Sequence, residues 1–188
     1  VGNGLDARTT LGPVISKAAQ DRITADITTA VSEGAELLID GRNVKVDGHE
    51  EGYFMGPTVL DKINPGTLMA TKEIFGPVIG LMKVESLDGA IEMLNSSEFA
   101  NTTSLFTTNG GAARKFINQV VPSMVGINIG VPAPMAFFSF GGSKNSFFGD
   151  IKVHGNSSVE FFTEKHTSMI RWYEKGIDAS LSSIWGTK

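Results

Sequence analysis

The sequence predicts an α/β fold, a mostly parallel sheet with helices on both faces, plus a C-terminal strand set apart for association. One segment near the N-terminus has apolar residues at helical spacing, and short β-branched runs then alternate with helices of about ten residues. Such alternation implies right-handed crossovers and parallel pairing. Late in the chain, turn-forming residues gather in one aromatic-rich loop, which a buried sheet cannot contain.

The first helix is expected over residues 16–31, where Ile15, Ala19, Ile23, Ile27, Ala30 and Val31 share one face and Gly34 supplies a C-terminal cap. Residues 35–39 read as a short buried strand closed by Asp40-Gly41. A polar loop runs on to Gly52, and a second strand is expected near 57–60. A short helix should precede Glu73. Residues 78–84 read as an apolar strand, 87–95 as a helix with Ala90, Ile91 and Leu94 on one side, and 104–107 as another short strand. Gly110-Gly111 precedes a helix to Val120, and 124–129 is β-branched up to Gly130.

Regular structure then stops. Residues 131–150 hold Pro132, Pro134, Gly141, Gly142, Gly149 and five phenylalanines, a composition that suits an ordered functional loop. A short helix is expected to end near Thr163. Residues 166–172 alternate like an edge strand, whose open donors and acceptors would be satisfied by another subunit. The expected state is a dimer or higher.

Composition narrows the function classes. A net charge of −4 with no basic run argues against nucleic acid as a partner. No apolar run reaches the length of about 20 residues that a membrane span needs. A soluble interior protein is expected, cytoplasmic, or in the mitochondrial matrix if the source is eukaryotic. There is no cysteine, which excludes disulfides and thiolate metal sites from this chain. His49, His154 and His166 lie far apart, so no metal site is predicted.

Two stretches carry candidate chemistry. In Glu73-Ile74-Phe75-Gly76-Pro77 a carboxylate able to accept from both hydroxyls of a ribose stands beside an aromatic ring that can pack on a nicotinamide, with Gly-Pro forcing the turn. The same five residues equally suit a plain turn from helix to strand. In Phe140-Gly141-Gly142-Ser143-Lys144 the glycines permit close backbone approach to a ligand, and Phe137, Phe138 and Phe140 can wall an apolar pocket or simply plug a gap. The Gly-Gly-Ser-Lys order departs from a nucleotide-triphosphate loop. Ser139 and Ser143 near Lys144 raise a Ser-Lys hydrolase, without the Ser-x-x-Lys spacing that such an enzyme uses. Gly2-Asn3-Gly4-Leu5-Asp6-Ala7 fits a dinucleotide fingerprint in letters, but no strand precedes it in this chain.

The order of landmarks is more specific than any one of them. Leu11-Gly12-Pro13, then Gly52-Tyr53-Phe54-Met55-Gly56-Pro57-Thr58-Val59, Glu73-Ile74-Phe75-Gly76-Pro77, Asn95, Phe106-Thr107, Gly126-Ile127-Asn128 and Phe140-Gly141-Gly142-Ser143-Lys144 follow one another along nearly the whole chain. This series resembles the C-terminal half of the aldehyde dehydrogenase superfamily. The run from Asn128 to Phe138, followed by Ser146-Phe147-Phe148-Gly149-Asp150, is most similar to its methylmalonate-semialdehyde dehydrogenase branch, which is CoA-acylating.

The resemblance implies that Glu73 and Phe75 bind the cofactor NAD, that Phe138 and Phe140 shape the substrate pocket, and that Asn128 is structural. It implies a small-molecule aldehyde as substrate and CoA as co-substrate, with residues 1–157 belonging to the catalytic domain. Residues 158–173 would form a terminal helix and oligomerisation strand, and 174–188 a tail. The family's catalytic Cys, general-base Glu, oxyanion Asn and glycine-rich turn have no counterpart here, so no catalytic residue is assigned and the chain alone is expected to be inactive. It would act with a complementing N-terminal half or as a homo-oligomer. A non-catalytic association module built on the same fold is the alternative.

Overall fold

The computed structural model describes residues 1–172. They fall into two compact units, Val1–Pro132 with Gly142–Phe148, and Ala133–Gly141 with the described residues from Gly149 onward.

In the first unit α1 (Lys17–Ser32) opens on Ser16, whose hydroxyl accepts from the Ala19 amide. It ends where Gly34 adopts φ 103°, a conformation that glycine takes at no steric cost. The helix turns Ile23, Asp26, Ile27 and Ala30 inward. Beneath it lies a three-stranded sheet of β1 (Glu36–Ile39), β2 (Thr58–Asp61) and β3 (Val78–Gly80), in the order β1-β2-β3. Ile23, Ile27, Met55 and Ile74 make one core cluster, and Ala30, Leu60 and Ile63 a second that shares Leu37, Met69 and Val78 with it. Each fully buried aliphatic side chain there contributes about 1.5–3 kcal/mol.

The α/β class is borne out, with mixed pairing that follows the connections. β1 and β2, joined by a loop without a helix, are antiparallel. β2 and β3, separated by the short α2 (Leu68–Thr71), are parallel. So are β5 (Thr102–Leu105) and β6 (Met124–Ile127), which are separated by α4 (Gly110–Gln119). A parallel return needs a crossover, and only the helical connections supply one. On the three-stranded sheet, α1 covers one face. On the other, Ile39 and Ile79 flank Val59 across the strands and stay more than half exposed.

α3 (Leu87–Ser96) is capped by Ser86 and α4 by Asn109. Asn95 fastens the two, its amide donating to the Gln119 carbonyl while its oxygen accepts from the Val121 amide. Asn128, at φ 57°, hydrogen-bonds both the amide and the carbonyl of Thr107 and so extends the β5–β6 ladder through a side chain.

Several expected strands move or shorten. The strand expected at 78–84 stops at Gly80 because its ladder partner β2 ends at Asp61 and Lys62 turns left-handed at φ 56°. The strand expected at 104–107 begins at Thr102, where β6 sets the register. Residues 128 and 129 leave the strand because Asn128 is left-handed. Unforeseen was the antiparallel pair of β4 (Phe99–Ala100) with β7 (Ser143–Lys144). Residues 166–172, expected to pair with another subunit, have no ladder partner among the described residues of this chain. The short helix near its end is present as α5 (Ser157–Phe161). The expected tail, 174–188, lies outside the described residues.

Candidate functional site

After α2 the chain runs extended through Lys72, the C-cap of that helix. Side chains alternate from there: Ile74 is buried in the core under α1, while Glu73 and Phe75 face outward. Phe75 adopts φ 53° and is 79% exposed. That backbone region disfavours a bulky residue by about 1–2 kcal/mol, and strain of this kind concentrates at functional sites. Gly76 closes the turn against the helix, since a Cβ there would lie 2.6 Å from Cδ1 of Ile23.

The Glu73 carboxylate has no hydrogen-bond or ion-pair partner among the described residues, and it lines a cleft of about 530 Å³. Lys72, Asn101, Thr102, Asn145 and Ser146 line the same cleft. The β4–β7 pair holds the opposite wall: the Ser146 hydroxyl accepts from the Ala100 amide, and the Asn145 amide donates to the Glu98 carbonyl. A free carboxylate, two side-chain amides and a hydroxyl facing one opening suit a polyhydroxylated ligand.

Phe138 and Phe140 lie in the second unit, apart in the chain's division from Glu73 and Phe75. Phe138 packs on Phe137 with ring centroids 4.8 Å apart, and Phe140 on His154 at 5.6 Å. Gly155, at φ 67°, donates to the Ala136 carbonyl and braces this loop; a Cβ there would lie 2.7 Å from the Phe137 oxygen. Phe138 is 59% exposed.

The Ser-Lys reading loses its base. Lys144 donates through Nζ to the carbonyls of Asn95 at 2.5 Å and Ser97 at 2.7 Å, closing the end of α3. Neighbouring Ser143 sits in the same strand, so its side chain points to the opposite face. Among the described residues no cluster of three His, Asp or Glu is arranged to hold a metal ion, and no helix is long and apolar enough to cross a membrane.

Sequence reasoning missed Asp26, Arg22 and the role of Lys72. The signal was present: an aspartate stands at position 26 on the stripe formed by Ile23, Ile27 and Ala30. Asn101 and Asn145 were missed because nothing local in the sequence brings them beside Glu73.

The sequence is 47% identical over 172 residues to the malonate-semialdehyde dehydrogenase of Halalkalibacterium halodurans, covering 92% of this chain and 35% of that one. The fold superposes on the methylmalonate-semialdehyde dehydrogenase of Oceanimonas doudoroffii with a TM-score of 0.86 and 39% identity, covering 91% of this chain and 35% of that one. An aldehyde dehydrogenase of Mycobacterium tuberculosis solved with NAD+ gives a TM-score of 0.73 at 31% identity, over 82% of this chain and 31% of that one. The chain thus spans about a third of the length of the curated relatives it matches. The model of the aldehyde dehydrogenase family matches residues 1–168, and the chain belongs to that family.

Proposed function

We propose that this chain supplies the ribose clamp and part of the substrate-pocket wall of an NAD-dependent, CoA-acylating malonate- or methylmalonate-semialdehyde dehydrogenase. The observation that carries the reading is the unpartnered Glu73 carboxylate at a polar cleft, beside a phenylalanine held exposed in a left-handed turn. These residues fit the cofactor. Both oxygens of Glu73 are open to accept from adjacent ribose hydroxyls, and an exposed ring two residues on can pack on a flat heterocycle. NAD, when bound, supplies the hydride acceptor. Glu73 fixes the ribose by charge-assisted hydrogen bonds, and Phe75 limits where the nicotinamide can lie. Phe138 and Phe140 would line the aldehyde end of the pocket.

The nucleophile comes from elsewhere. Thioester transfer to CoA needs a thiolate, and none of the 188 residues is a cysteine. The proposal therefore includes a complementing portion of the enzyme. It also includes association through residues 166–172, where Met169, Ile170 and Trp172 are 96%, 72% and 89% exposed. Light scattering before and after removal of residues 165–188 checks this, with a fall in assembly size expected. An unchanged size removes the association role.

The clamp is tested in a chimera that carries these residues in place of the matching third of the Halalkalibacterium enzyme. Glu73→Gln weakens hydrogen bonds to a charged group worth about 1.5–3 kcal/mol, so the apparent NAD constant is expected to rise about 10- to 100-fold. Phe75→Gly is expected to weaken NAD binding while leaving the melting temperature unchanged or higher. It relieves left-handed strain of about 1–2 kcal/mol and loses little burial, against about 0.5–1 kcal/mol for glycine's added flexibility. An NAD constant unmoved by both substitutions returns the turn to a purely structural role.

A further inference from the structure

We infer that Asp26 of α1, acting through Lys72 and Arg22, is a positioning residue that sets the direction of the Glu73 carboxylate. The inference rests on the reading of Glu73 as the ribose ligand. Asp26 is 5% exposed on the inward face of α1, between Ile23 and Ile27 in the core. Burying a carboxylate is costly unless it is paired, and an apolar residue at such a site is often as stable or more so. Stability alone therefore gives no reason for an aspartate at this position.

Its partners supply one. Lys72 donates through Nζ to both Asp26 oxygens, at 2.7 and 2.9 Å. Arg22, one turn earlier on the helix, donates from Nη1 to Asp26 Oδ2 at 3.2 Å and to the Ile74 carbonyl at 2.7 Å. The residues on either side of Glu73 are thus both tied to a single turn of α1, one through its side chain and one through its backbone. The apolar contacts of Ile74 and Gly76 fix how close the segment lies to the helix, but they are non-directional and leave it free to roll. Hydrogen bonds are directional. Two of them, flanking Glu73, fix the roll and so the line along which its carboxylate leaves the backbone. The left-handed Phe75 shows that this segment is held in a conformation it would not choose alone. A ribose acceptor fixed before the ligand arrives binds without the cost of ordering it.

The test uses the 188-residue chain, with backbone amide order parameters of residues 73–76 compared with those of β5 and β6, and with NAD titrated at millimolar concentration while the Glu73 amide resonance is followed. In Asp26→Asn, the order parameters at 73–76 are expected to fall from about 0.85, the value of rigid backbone, to below about 0.6. Those in β5 and β6 should not change. Asp26→Glu, which keeps the carboxylate, should restore most of the order. The double variant Asp26→Leu with Lys72→Met removes both charges and should keep the melting temperature while still freeing 73–76, which separates positioning from general stability. The NAD-dependent shift of the Glu73 amide should shrink in Asp26→Asn and return in Asp26→Glu. Unchanged order at 73–76 in Asp26→Asn and in the double variant overturns the anchor. A Glu73 resonance indifferent to NAD in the unaltered chain, with the order parameters behaving as expected, overturns the ribose reading instead.

Discussion

The purified chain, supplied with NAD, CoA and malonate or methylmalonate semialdehyde, is expected to form no NADH above the rate without protein. The expectation rests on chemistry that the sequence lacks. Covalent aldehyde oxidation needs a thiolate to add to the carbonyl and later leave to CoA, and there is no cysteine among the 188 residues. Loss of a catalytic nucleophile costs on the order of 10⁶ in kcat, and Ser143 does not compensate. It sits beside Lys144, but Nζ of that lysine is engaged with the Asn95 and Ser97 carbonyls and is not placed to take a proton from its neighbour. Absorbance of NADH, followed with protein free of any full-length relative, decides the matter. Steady turnover by the chain alone overturns the division of labour proposed here. Turnover that appears only on mixing with the remaining two thirds of a relative is the outcome the proposal expects.

The parts of this fold that the sequence made legible are those whose signal is local. α1 was readable because Ile23, Ile27 and Ala30 repeat at helical spacing between Ser16 and Gly34, and each of those marks does in the structure what its chemistry suggests. The Glu73 turn was readable as a unit because Gly-Pro forces it. What escaped was set by partners distant in sequence. β3 is as short as β2 allows, and β7 exists because Phe99 and Ala100 pair with it across more than forty residues. Residues 166–172 alternate as a strand does and have no ladder partner within the described chain, since alternation states which faces are apolar and not which segment pairs with them. The candidate site divides in the same way. Glu73 and Phe75 are adjacent in sequence and were found together, while Asn101 and Asn145 reach the same cleft only through β4 and β7. Asp26 was missed although it stands as an anomaly on an apolar stripe, and its meaning required Lys72 to be seen beside it.

Gly41→Ala is expected to destabilise the chain by about 3 kcal/mol, the upper end for forcing extra volume into a packed site. For a chain of this length that corresponds to a fall in melting temperature on the order of 10 °C. A Cβ on Gly41 would lie 2.0 Å from the Gly56 carbonyl oxygen and 2.3 Å from its carbon. Those are backbone atoms, which cannot swing aside as a side-chain tip can. Both backbones are also committed. The Gly56 amide donates to the Gly41 carbonyl at 2.8 Å, and the Gly41 amide donates to the buried hydroxyl of Thr58 at 3.1 Å. On the other side, Arg42 grips Asp40 at 2.6 Å and holds its pKa down to about 2, so the turn is fixed there too. Relief must therefore come from moving residues 54–56. That lifts Met55, 1% exposed, out of the cluster with Ile23, Ile27 and Ile74. Ile74 lies between Glu73 and Phe75, so the same displacement loosens the candidate cofactor turn along with the core. Gly12→Ala is the control, because a Cβ there meets nothing within 4 Å. It should leave the melting temperature in place. Equal stability of the two variants would show that the Gly41–Gly56 contact is not what closes this loop onto the helix.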